Sequence, residues 1–352
     1  MISVVILTHN RLSFLRECVA SIRANPFSEY EIIIVDNAST DGTRDEFGDS
    51  PGVRVLRFEN DAELSTCRNA GIDAARGDII AFTDDDCVVE KDWLARIAID
   101  LEDRDAVGGI ARPLGEFSPP RWWDDEINWL VGLSVPGHYG PLAGEIYLPA
   151  SLNLAYRAEV LKGLRFREGV SGLAGRNMTR EDSDLWLRTR GGGYRTLFDP
   201  ALVVYHRVPP GRLTLAFCMK RAFSDGFAAY HRGEGGAGLR SVSRFVLMQP
   251  FRFARRALTG GGRPRAIEVV WVIRQAGFLW AGATRRCARP FRRARRAART
   301  AASAARTLWT VLYEGGILLL AEGLMRLGLL RRPLENIGPA PGNGRDPEGP
   351  GG

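Results

Sequence analysis

The sequence lacks the features of a disulfide-rich, secreted or membrane-spanning protein. Its odd set of cysteines shows neither a pairing pattern nor the spacing of metal ligands: Cys18, Cys67, Cys87, Cys218 and Cys287. Such a dispersed set is typical of a reducing compartment. No stretch reaches the roughly 18 uninterrupted apolar residues of a spanning helix, and the apolar run 2–7 is too short for the core of a secretory signal. We therefore expect a cytoplasmic protein.

Glycine is absent from the segment after the first apolar run, LTHNRLSF at residues 7–14. A dinucleotide oxidoreductase would carry G-x-G-x-x-G at such a turn, because its glycines let the backbone approach a pyrophosphate. A sugar-phosphate nucleotidyltransferase would carry a Gly-rich, Arg-containing loop there to hold a triphosphate. The segment disfavours both classes, of which the nucleotidyltransferase stays the nearer alternative.

Acidic residues are nearly absent from residues 240–306, which contain 17 arginines and one acid, although the net charge of the whole chain is only +7. The arginines alternate with apolar helical patterns that carry Trp271, Trp280 and Trp309, as in an interfacial anchor on an anionic membrane. We therefore expect the extension 241–337 to bind the inner face of the plasma membrane peripherally, with a solvated basic surface as the alternative. A nucleic-acid partner is not expected, because no recognition motif accompanies the charge.

The first hundred residues alternate between short apolar runs and helical periodicity. The runs predict strands buried on both faces, and the intervening apolar spacing of three and four predicts helices. This order is typical of an α/β fold, a mostly parallel sheet with helices on both faces. Strands are predicted at 2–7, 32–35, 53–58 and 79–83, and helices at 12–22, 64–76 and 91–104.

Pro209-Pro210-Gly211 marks a candidate domain boundary. Before it, residues 113–150 have the composition of loops, and the later segments predict strands at 152–156, 194–198 and 202–205 and a helix over 181–190. After it, helical patterns cover 213–232, 241–258, 266–283 and 300–330. We therefore divide the chain into a sheet domain, 1–210, a basic helical extension, 211–337, and a disordered tail, 338–352.

Polar residues follow three of the predicted strands at the point where each strand ends: Thr8-His9-Asn10-Arg11, Asp36-Asn37 and Asp84-Asp85-Asp86. Ligands bind beyond the carboxyl ends of parallel strands. The three adjacent carboxylates repel each other unless a cation lies among them, and Mg²⁺ and Mn²⁺ prefer oxygen ligands. Asp84 and Asp86 could divide the contacts with a sugar hydroxyl and a metal. A solvated acidic turn or a helix cap is the alternative.

Four segments carry a family resemblance: VVILTHNR, EIIIVDNASTDGT, CRNAGIDAARGDIIAFTDDDC and TREDSDLWLR. Together they resemble the family 2 glycosyltransferases, which adopt the Rossmann-like GT-A fold. The match covers roughly residues 1–210, and four motifs in the expected order are improbable by chance. The resemblance implies a catalytic domain with a donor half at about 1–112 and an acceptor half at about 113–210.

The resemblance implies donor-side roles that suit the chemistry of each side chain, since a guanidinium matches phosphate and a carboxylate accepts hydrogen bonds from ribose or uracil. The residues are Thr8, His9 and Arg11 around the nucleotide, Asp36 at the base, Arg68 at the pyrophosphate, Asp84 at the ribose, Asp85 beside it without an individual role, and Asp86 as metal ligand.

On the acceptor side, Glu181-Asp182 opens a predicted helix. Family 2 enzymes are typically inverting, with a carboxylate here as general base, which implies that Asp182 is the base and that Glu181 orients it or holds an acceptor hydroxyl. A charge pair at a helix start is the alternative. His206 resembles the late histidine that completes the metal or diphosphate site of many GT-A enzymes, although a structural histidine would also fit.

The sequence departs from the family pattern at Leu148-Pro149-Ala150-Ser151, where the family often has a Gly-rich segment. We therefore expect a differently shaped acceptor side. Asn153, Trp122 and Trp123 are candidate contacts with the acceptor, because aromatic rings stack on sugars, with structural packing as the alternative for all three.

The resemblance implies transfer of a sugar from a nucleoside-diphosphate sugar, with UDP favoured as the base most common in the family. Mn²⁺ or Mg²⁺ is the implied cofactor, and the implied acceptor is a hydroxyl of a saccharide, a lipid-linked sugar or a natural product. A non-catalytic membrane or RNA-binding scaffold is the alternative, but it leaves the acidic strand ends unexplained.

Overall fold

The computed structural model of the chain describes residues 1–135, 148–168, 181–232 and 266–291. They form an eight-stranded sheet with helices on both faces. The strands are β1 (Ile2–Thr8), β2 (Tyr30–Asn37), β3 (Val53–Phe58), β4 (Ile79–Asp84), β5 (Cys87–Val89), β6 (Ala106–Pro113), β7 (Leu154–Arg157) and β8 (Thr196–His206). The helices are α1 (Leu12–Arg23), α2 (Thr43–Phe47), α3 (Leu64–Ala74), α4 (Trp93–Asp100), α5 (Ala158–Gly163), α6 (Glu181–Gly191), α7 (Leu215–Arg232) and α8 (Ala266–Phe291).

The sheet has the strand order β3-β2-β1-β4-β7-β6-β8-β5, and its first four strands are parallel. The register places Leu7 of β1 opposite Val35 of β2 and Asp84 of β4. The polar residues that follow these strands therefore meet at one edge, where ligands bind in sheets of this kind. The four strands predicted for the first hundred residues are confirmed.

The other half of the sheet is mixed. β7 runs antiparallel to both β4 and β6, and β8 pairs with β6 in parallel through a register shift between Gly109 and Ile110. Two strands were predicted, at 194–198 and 202–205, but the structure has one continuous strand, β8, that begins at Thr196. The irregular register accommodates Pro200, which has no N–H to donate to the neighbouring strand. The predicted strand at 152–156 begins instead with a 3-10 turn, Ser151–Asn153.

Alternation along β1 explains why both faces of the sheet are covered. Val4 and Ile6 belong to a core that includes α1 and α4, whereas Val5 belongs to a second core that includes α3 and α6. A strand that is buried on both faces is apolar at nearly every position, and in β1 the one exception before Thr8 is the buried Ser3. The run at residues 2–7 therefore predicted a central strand correctly.

Helices α7 and α8 pack against each other and against the 3-10 turn Asp125–Val131. Two glycines make this close approach sterically feasible. A Cβ at Gly226 would lie 1.7 Å from the backbone oxygen of Arg274, and one at Gly277 would lie 2.0 Å from that of Phe223. Larger residues at either position would push the helices apart.

The predicted helices at 213–232 and 266–283 are confirmed as α7 and α8. Those predicted at 241–258 and 300–330, and the predicted tail at 338–352, lie outside the described residues. Among the helices that the structure describes, none is long and apolar enough to cross a membrane.

Candidate active site

A cavity of about 730 Å³ opens at the edge where β1, β2 and β4 end. It gathers most of the residues that the sequence assigned to the site: Thr8, His9, Arg11, Arg68, Asp84, Asp85, Asp86, Glu181, Asp182 and His206. The donor-side and acceptor-side predictions therefore converge on one space. Four predicted residues do not line it, namely Asp36, Trp122, Trp123 and Asn153.

The three aspartates after β4 differ in their surroundings. Asp85 is buried, and it accepts hydrogen bonds from the Thr8 hydroxyl (2.8 Å) and from Arg11 (3.0 Å). Burial, followed by the charge of Asp86, raises the pKa of Asp85 to about 7, against the effect of those two hydrogen bonds. Asp84 is one-third exposed to the cavity, with a side-chain exposure of 33%. Asp85 thus fixes Thr8 and Arg11, and Asp84 is available to a ligand.

Asp86 lies beside His206 because the antiparallel pairing of β5 and β8 puts Cys87 opposite that histidine. Asp86 Oδ1 is 3.5 Å from His206 Nε2, and Asp86 Oδ2 is 3.0 Å from Arg11 and 3.7 Å from Arg212. Burial opposes ionisation of Asp86, but the hydrogen bond to His206 and the nearby positive charges lower its pKa to about 2. The carboxylate is therefore ionised at neutral pH.

The Asp86–His206 pair partly fits a divalent cation. Its carboxylate oxygen and imidazole nitrogen are close enough to bind one ion together. In the described part of the chain, however, no three or more Asp, Glu, His or Cys side chains are grouped as a metal site. Mg²⁺ and Mn²⁺ in nucleotide enzymes often keep few protein ligands and complete their coordination with water and phosphate oxygens. The pair therefore suits a cation that binds together with a nucleoside diphosphate.

Arg68 connects the donor side of the cavity with the acceptor side. Its buried guanidinium forms an ion pair with Glu181, donates a hydrogen bond to the Ser151 hydroxyl (2.8 Å) and lies 3.7 Å from Asp84. The guanidinium also lies over the ring of Phe166, 5.5 Å from its centroid. These partners hold the Arg68 guanidinium in place between Asp84 and Glu181.

Two backbone amides orient the carboxylate of Asp182, which lies in the first turn of α6. The Ser151 N–H donates to Asp182 Oδ2 (3.0 Å), and the Ser183 N–H donates to Asp182 Oδ1 (2.7 Å). Each carboxylate oxygen can accept a further hydrogen bond. The side chain lines the cavity, so a hydroxyl group that enters the cavity can meet it.

Asp36 was predicted at the base of the nucleotide, but the structure places it away from the cavity. It is fully buried, accepts a hydrogen bond from the Ser39 N–H (2.9 Å) and lies 3.6 Å from Arg57. Neighbouring residues of a strand point to opposite faces, and the next residue, Asn37, lines the cavity instead. The Asn37 backbone oxygen accepts a hydrogen bond from the His9 ring (2.6 Å).

Asn153, predicted as an acceptor contact, is part of the core. Its amide group donates to the backbone oxygens of Ile110 (3.0 Å) and Leu202 (2.9 Å) and accepts from the Trp93 indole (2.9 Å). These bonds use both of its donor hydrogens, and the side chain is buried. The residue therefore joins β6, β8 and α4 and has no contact to offer a substrate.

Trp122 and Trp123, the other predicted acceptor contacts, pack in a hydrophobic cluster with α7 and α8. The Trp123 indole donates to Asn128 (2.7 Å), which satisfies its polar atom within the protein. Trp129, a few residues later, is the tryptophan of this segment that lines the cavity. The sequence predicted that aromatic residues of this segment would contact the acceptor, but it did not show which ring would line the cavity.

Sequence reasoning missed several further residues of the site. Ser151 was noted only as a departure from the family pattern, yet it contacts both Arg68 and Asp182. Others come from the connection after β8 and from α7 and α8: Arg212, Phe217, Arg221, Ile267, Trp271 and Arg274. The sequence predicted that these segments are helical, but it did not show which face of each helix would line the cavity.

The mixed sheet, the acidic edge after β4 and the carboxylates at the start of α6 agree with the GT-A fold. The comparison with known sequences is more specific. Residues 3–164, a little less than half of the chain, match the model of glycosyl transferase family 2, so this part of the chain is similar to that family.

Known relatives cover the chain to different extents. The glucosyl-dolichyl phosphate glucuronosyltransferase of Haloferax volcanii is 25% identical over 64% of this chain and 75% of its own length. The succinoglycan biosynthesis protein ExoM of Rhizobium meliloti is 29% identical over 47% of this chain and 51% of its own length, so the chain spans about half of that relative. The mannosyltransferase PcManGT from Pyrobaculum calidifontis, solved in complex with GDP-Man and Mn²⁺, is 20% identical, with a TM-score of 0.51 over 80% of this chain and 86% of its own. This last likeness supports the fold.

Proposed function

We propose that the chain is a metal-dependent, inverting glycosyltransferase that moves a sugar from a nucleoside-diphosphate sugar to a hydroxyl group of its acceptor. The observation that most supports this is that Asp182 lines the same cavity as Asp84 and Asp86. A single displacement needs a base on one side of the sugar and a stabilised leaving group on the other. These aspartates offer both within one space.

The donor end binds phosphate through arginines that now face carboxylates. Arg11 contacts Asp85 and Asp86, and Arg212 lies near Asp86 and His206. Guanidinium groups pair well with phosphate oxygens. When a diphosphate enters, Arg11, whose side chain is one-third exposed, turns from the acids to the phosphate, and Asp84 bonds to the ribose.

Asp86 and His206 would hold the cation. A bound cation supplies Lewis-acid stabilisation of the negative charge that develops on the departing nucleoside diphosphate. The Mn²⁺ of the P. calidifontis complex favours Mn²⁺ or Mg²⁺ here. Titration calorimetry of Mn²⁺ in the presence of UDP tests this binding separately from turnover.

Asp182 takes the proton from the acceptor hydroxyl as that oxygen attacks the anomeric carbon. Backbone amides hold both carboxylate oxygens in place, which directs the remaining lone pairs into the cavity. Glu181 is engaged with Arg68, so its role is to hold that arginine beside Asp84. The division of labour between two adjacent acids follows from their different partners.

The identity of the donor and acceptor is proposed from weaker observations. UDP is favoured as the nucleotide, although the P. calidifontis complex contains GDP-Man. The name of the H. volcanii relative favours a lipid-linked acceptor over a free saccharide or natural product. A thermal-shift screen of UDP, GDP and dTDP with Mn²⁺ decides the base. A nucleotide sugar that carries the base with the largest shift is then the donor for the assays below.

Replacement Asp182→Asn tests the proposed base. We expect release of nucleoside diphosphate, with water in place of the acceptor, to fall by about 10²- to 10⁴-fold. Binding of the nucleotide with Mn²⁺ should remain as in the wild type, because Asp182 is not on the donor side. Asp103→Asn, at an acid whose side chain is 68% exposed, is the matched control. Wild-type turnover in Asp182→Asn would refute the assignment.

Peripheral binding of 241–337 to an anionic membrane and a cytoplasmic location also remain proposals. Of residues 241–337, only Ala266–Phe291 are described, and α8 uses part of its surface against α7, including the contact of Phe278 with Ala229. Lipid would therefore contact other surfaces of the extension. Co-sedimentation with phosphatidylglycerol vesicles at low and high salt measures this binding.

A further inference from the structure

We propose that α7 and α8 form an acceptor subsite for a sugar that is linked to a phosphate group. This inference rests on the proposed function, because it assigns the acceptor side of the same cavity. Five side chains make up what we call the helical wall of the cavity: Phe217, Arg221, Ile267, Trp271 and Arg274.

The spacing of these residues explains why they face one space. Phe217 and Arg221 are four positions apart on α7, and Ile267, Trp271 and Arg274 follow at intervals of four and three on α8. Residues at these intervals share one face of a helix. The wall is thus composed of one stripe from each of two adjacent helices.

The two stripes are fixed relative to each other. The close packing at Gly226 and Gly277 sets the distance between the helices. An ion pair between Arg274 Nε and the buried Asp225 carboxylate, at 2.5 Å, joins α8 to α7. The wall is therefore preorganised, which lowers the entropic cost of binding a ligand.

The chemistry of the wall combines an aromatic surface with positive charge. Trp271 is 45% exposed, and the Arg274 guanidinium lies 5.2 Å from the centroid of its ring. An indole face suits a sugar ring or an alkyl chain. Arg212, Arg221 and Arg274 line this side, against the cavity-lining acid Glu126 of the neighbouring 3-10 turn and the buried Asp225 that pairs with Arg274.

Charge also determines where an anionic part of the acceptor can lie. The rest of the cavity carries Asp84, Asp182 and the other acids of the donor edge, which repel a phosphate that is not accompanied by a cation. The arginines of the helical wall provide the complementary position. The wall lies outside residues 3–164, the part that matches the family model.

Two ligands that share the same sugar and alkyl chain, and differ only in a phosphate group, isolate the contribution of the phosphate to binding. Octyl glucoside and octyl glucosyl phosphate are titrated by calorimetry, below micelle-forming concentrations, into the full chain with UDP and Mn²⁺ present. We expect the wild type to bind the phosphate ligand at least about tenfold more tightly, as for a charge-assisted contact. Arg221→Gln should bring the two affinities within about threefold of each other.

Lys220→Gln is the matched control, because it removes the same charge from the neighbouring position of α7, which does not line the cavity. It should keep the wild-type preference. Trp271→Ala should weaken both ligands alike. Equal binding of the two ligands by the wild type, or an equal loss of preference in Arg221→Gln and Lys220→Gln, would overturn the subsite.

Glucose 1-phosphate distinguishes the source of the phosphate. Weaker binding than octyl glucosyl phosphate supports a lipid-linked acceptor, and equal binding supports the subsite with a soluble sugar phosphate. Nucleotide release from the donor should be unchanged in Lys220→Gln, which lies outside the cavity lining. Absence of nucleotide release in the wild type would count against the proposed function alone, since the binding preference is measured without turnover.

Discussion

The donor edge and the helical wall of the cavity are built in different ways. The donor edge follows directly from β1 and β4, whose parallel register fixes where their ends lie. The helical wall belongs to α7 and α8, far later in the chain, and its direction depends on the close packing at Gly226 and Gly277. The position of site residues at strand ends can therefore be read from local sequence. The position of site residues on a helix face depends on tertiary packing. Arg68 and Ser151 connect the donor edge with Glu181 and Asp182 at the start of α6.

The largest expected effect concerns this connection. Arg68→Gln leaves the buried carboxylate of Glu181 without its cation, since both side chains are at most 6% exposed. Removing one partner of a buried ion pair costs about 3–5 kcal/mol, so the midpoint of urea unfolding should fall markedly. The double variant Arg68→Gln with Glu181→Gln should recover part of that loss. Unchanged stability of the single variant would mean that this pair does not hold the donor edge and α6 together.

A metal-dependent loss is expected next, at the donor edge alone. Asp86→Asn should lower nucleotide release by at least about 100-fold, as does removal of one strong electrostatic contact to a transition state. Its rate should also depend less on Mn²⁺ concentration. The measurement is a Mn²⁺ titration of the rate, with Asp103→Asn again as the control. A titration curve equal to that of the wild type would remove Asp86 from the metal site.

A smaller effect is expected from the amide that orients the base. Ala150 is extended (ψ 153°), and Ser151 opens a 3-10 turn, so proline is compatible with position 151. Ser151→Pro deletes the N–H that holds Asp182, whereas Ser151→Ala keeps it and loses only the hydroxyl bonded to Arg68. We expect kcat to fall about tenfold in the proline variant, the equivalent of one hydrogen bond, and clearly less in the alanine variant. Equal kcat values would show that this amide does not position the base.

Much of the donor edge could be predicted from sequence because strand order and strand ends are local properties. The aspartates 84–86, Arg68 and the pair Glu181-Asp182 all reach the cavity. Asp36 did not, because the sequence did not show which of two adjacent residues at the end of β2 would line the cavity. Asn37 lines it, although its buried side chain is bonded to Asp61 and Ala62, and Asp36 holds the following loop instead.

The acceptor side was predicted less well for a physical reason. Asn153 is a polar residue on a buried segment, and its three hydrogen bonds go to elements that are distant in the chain. Trp122 and Trp129 are both aromatic residues of one loop-rich segment, yet only the latter lines the cavity. These outcomes depend on tertiary contacts, which composition and periodicity do not contain.

The anomeric configuration of the first product tests the central claim most directly, because it reports on which face of the sugar the attack occurs. An α-linked donor such as UDP-glucose is turned over in water, and the anomeric proton of the released sugar is followed by NMR before mutarotation. Direct displacement with Asp182 as base predicts that β-glucose appears first. Release of α-glucose as the first product would contradict the single-displacement mechanism and the role of Asp182 in it.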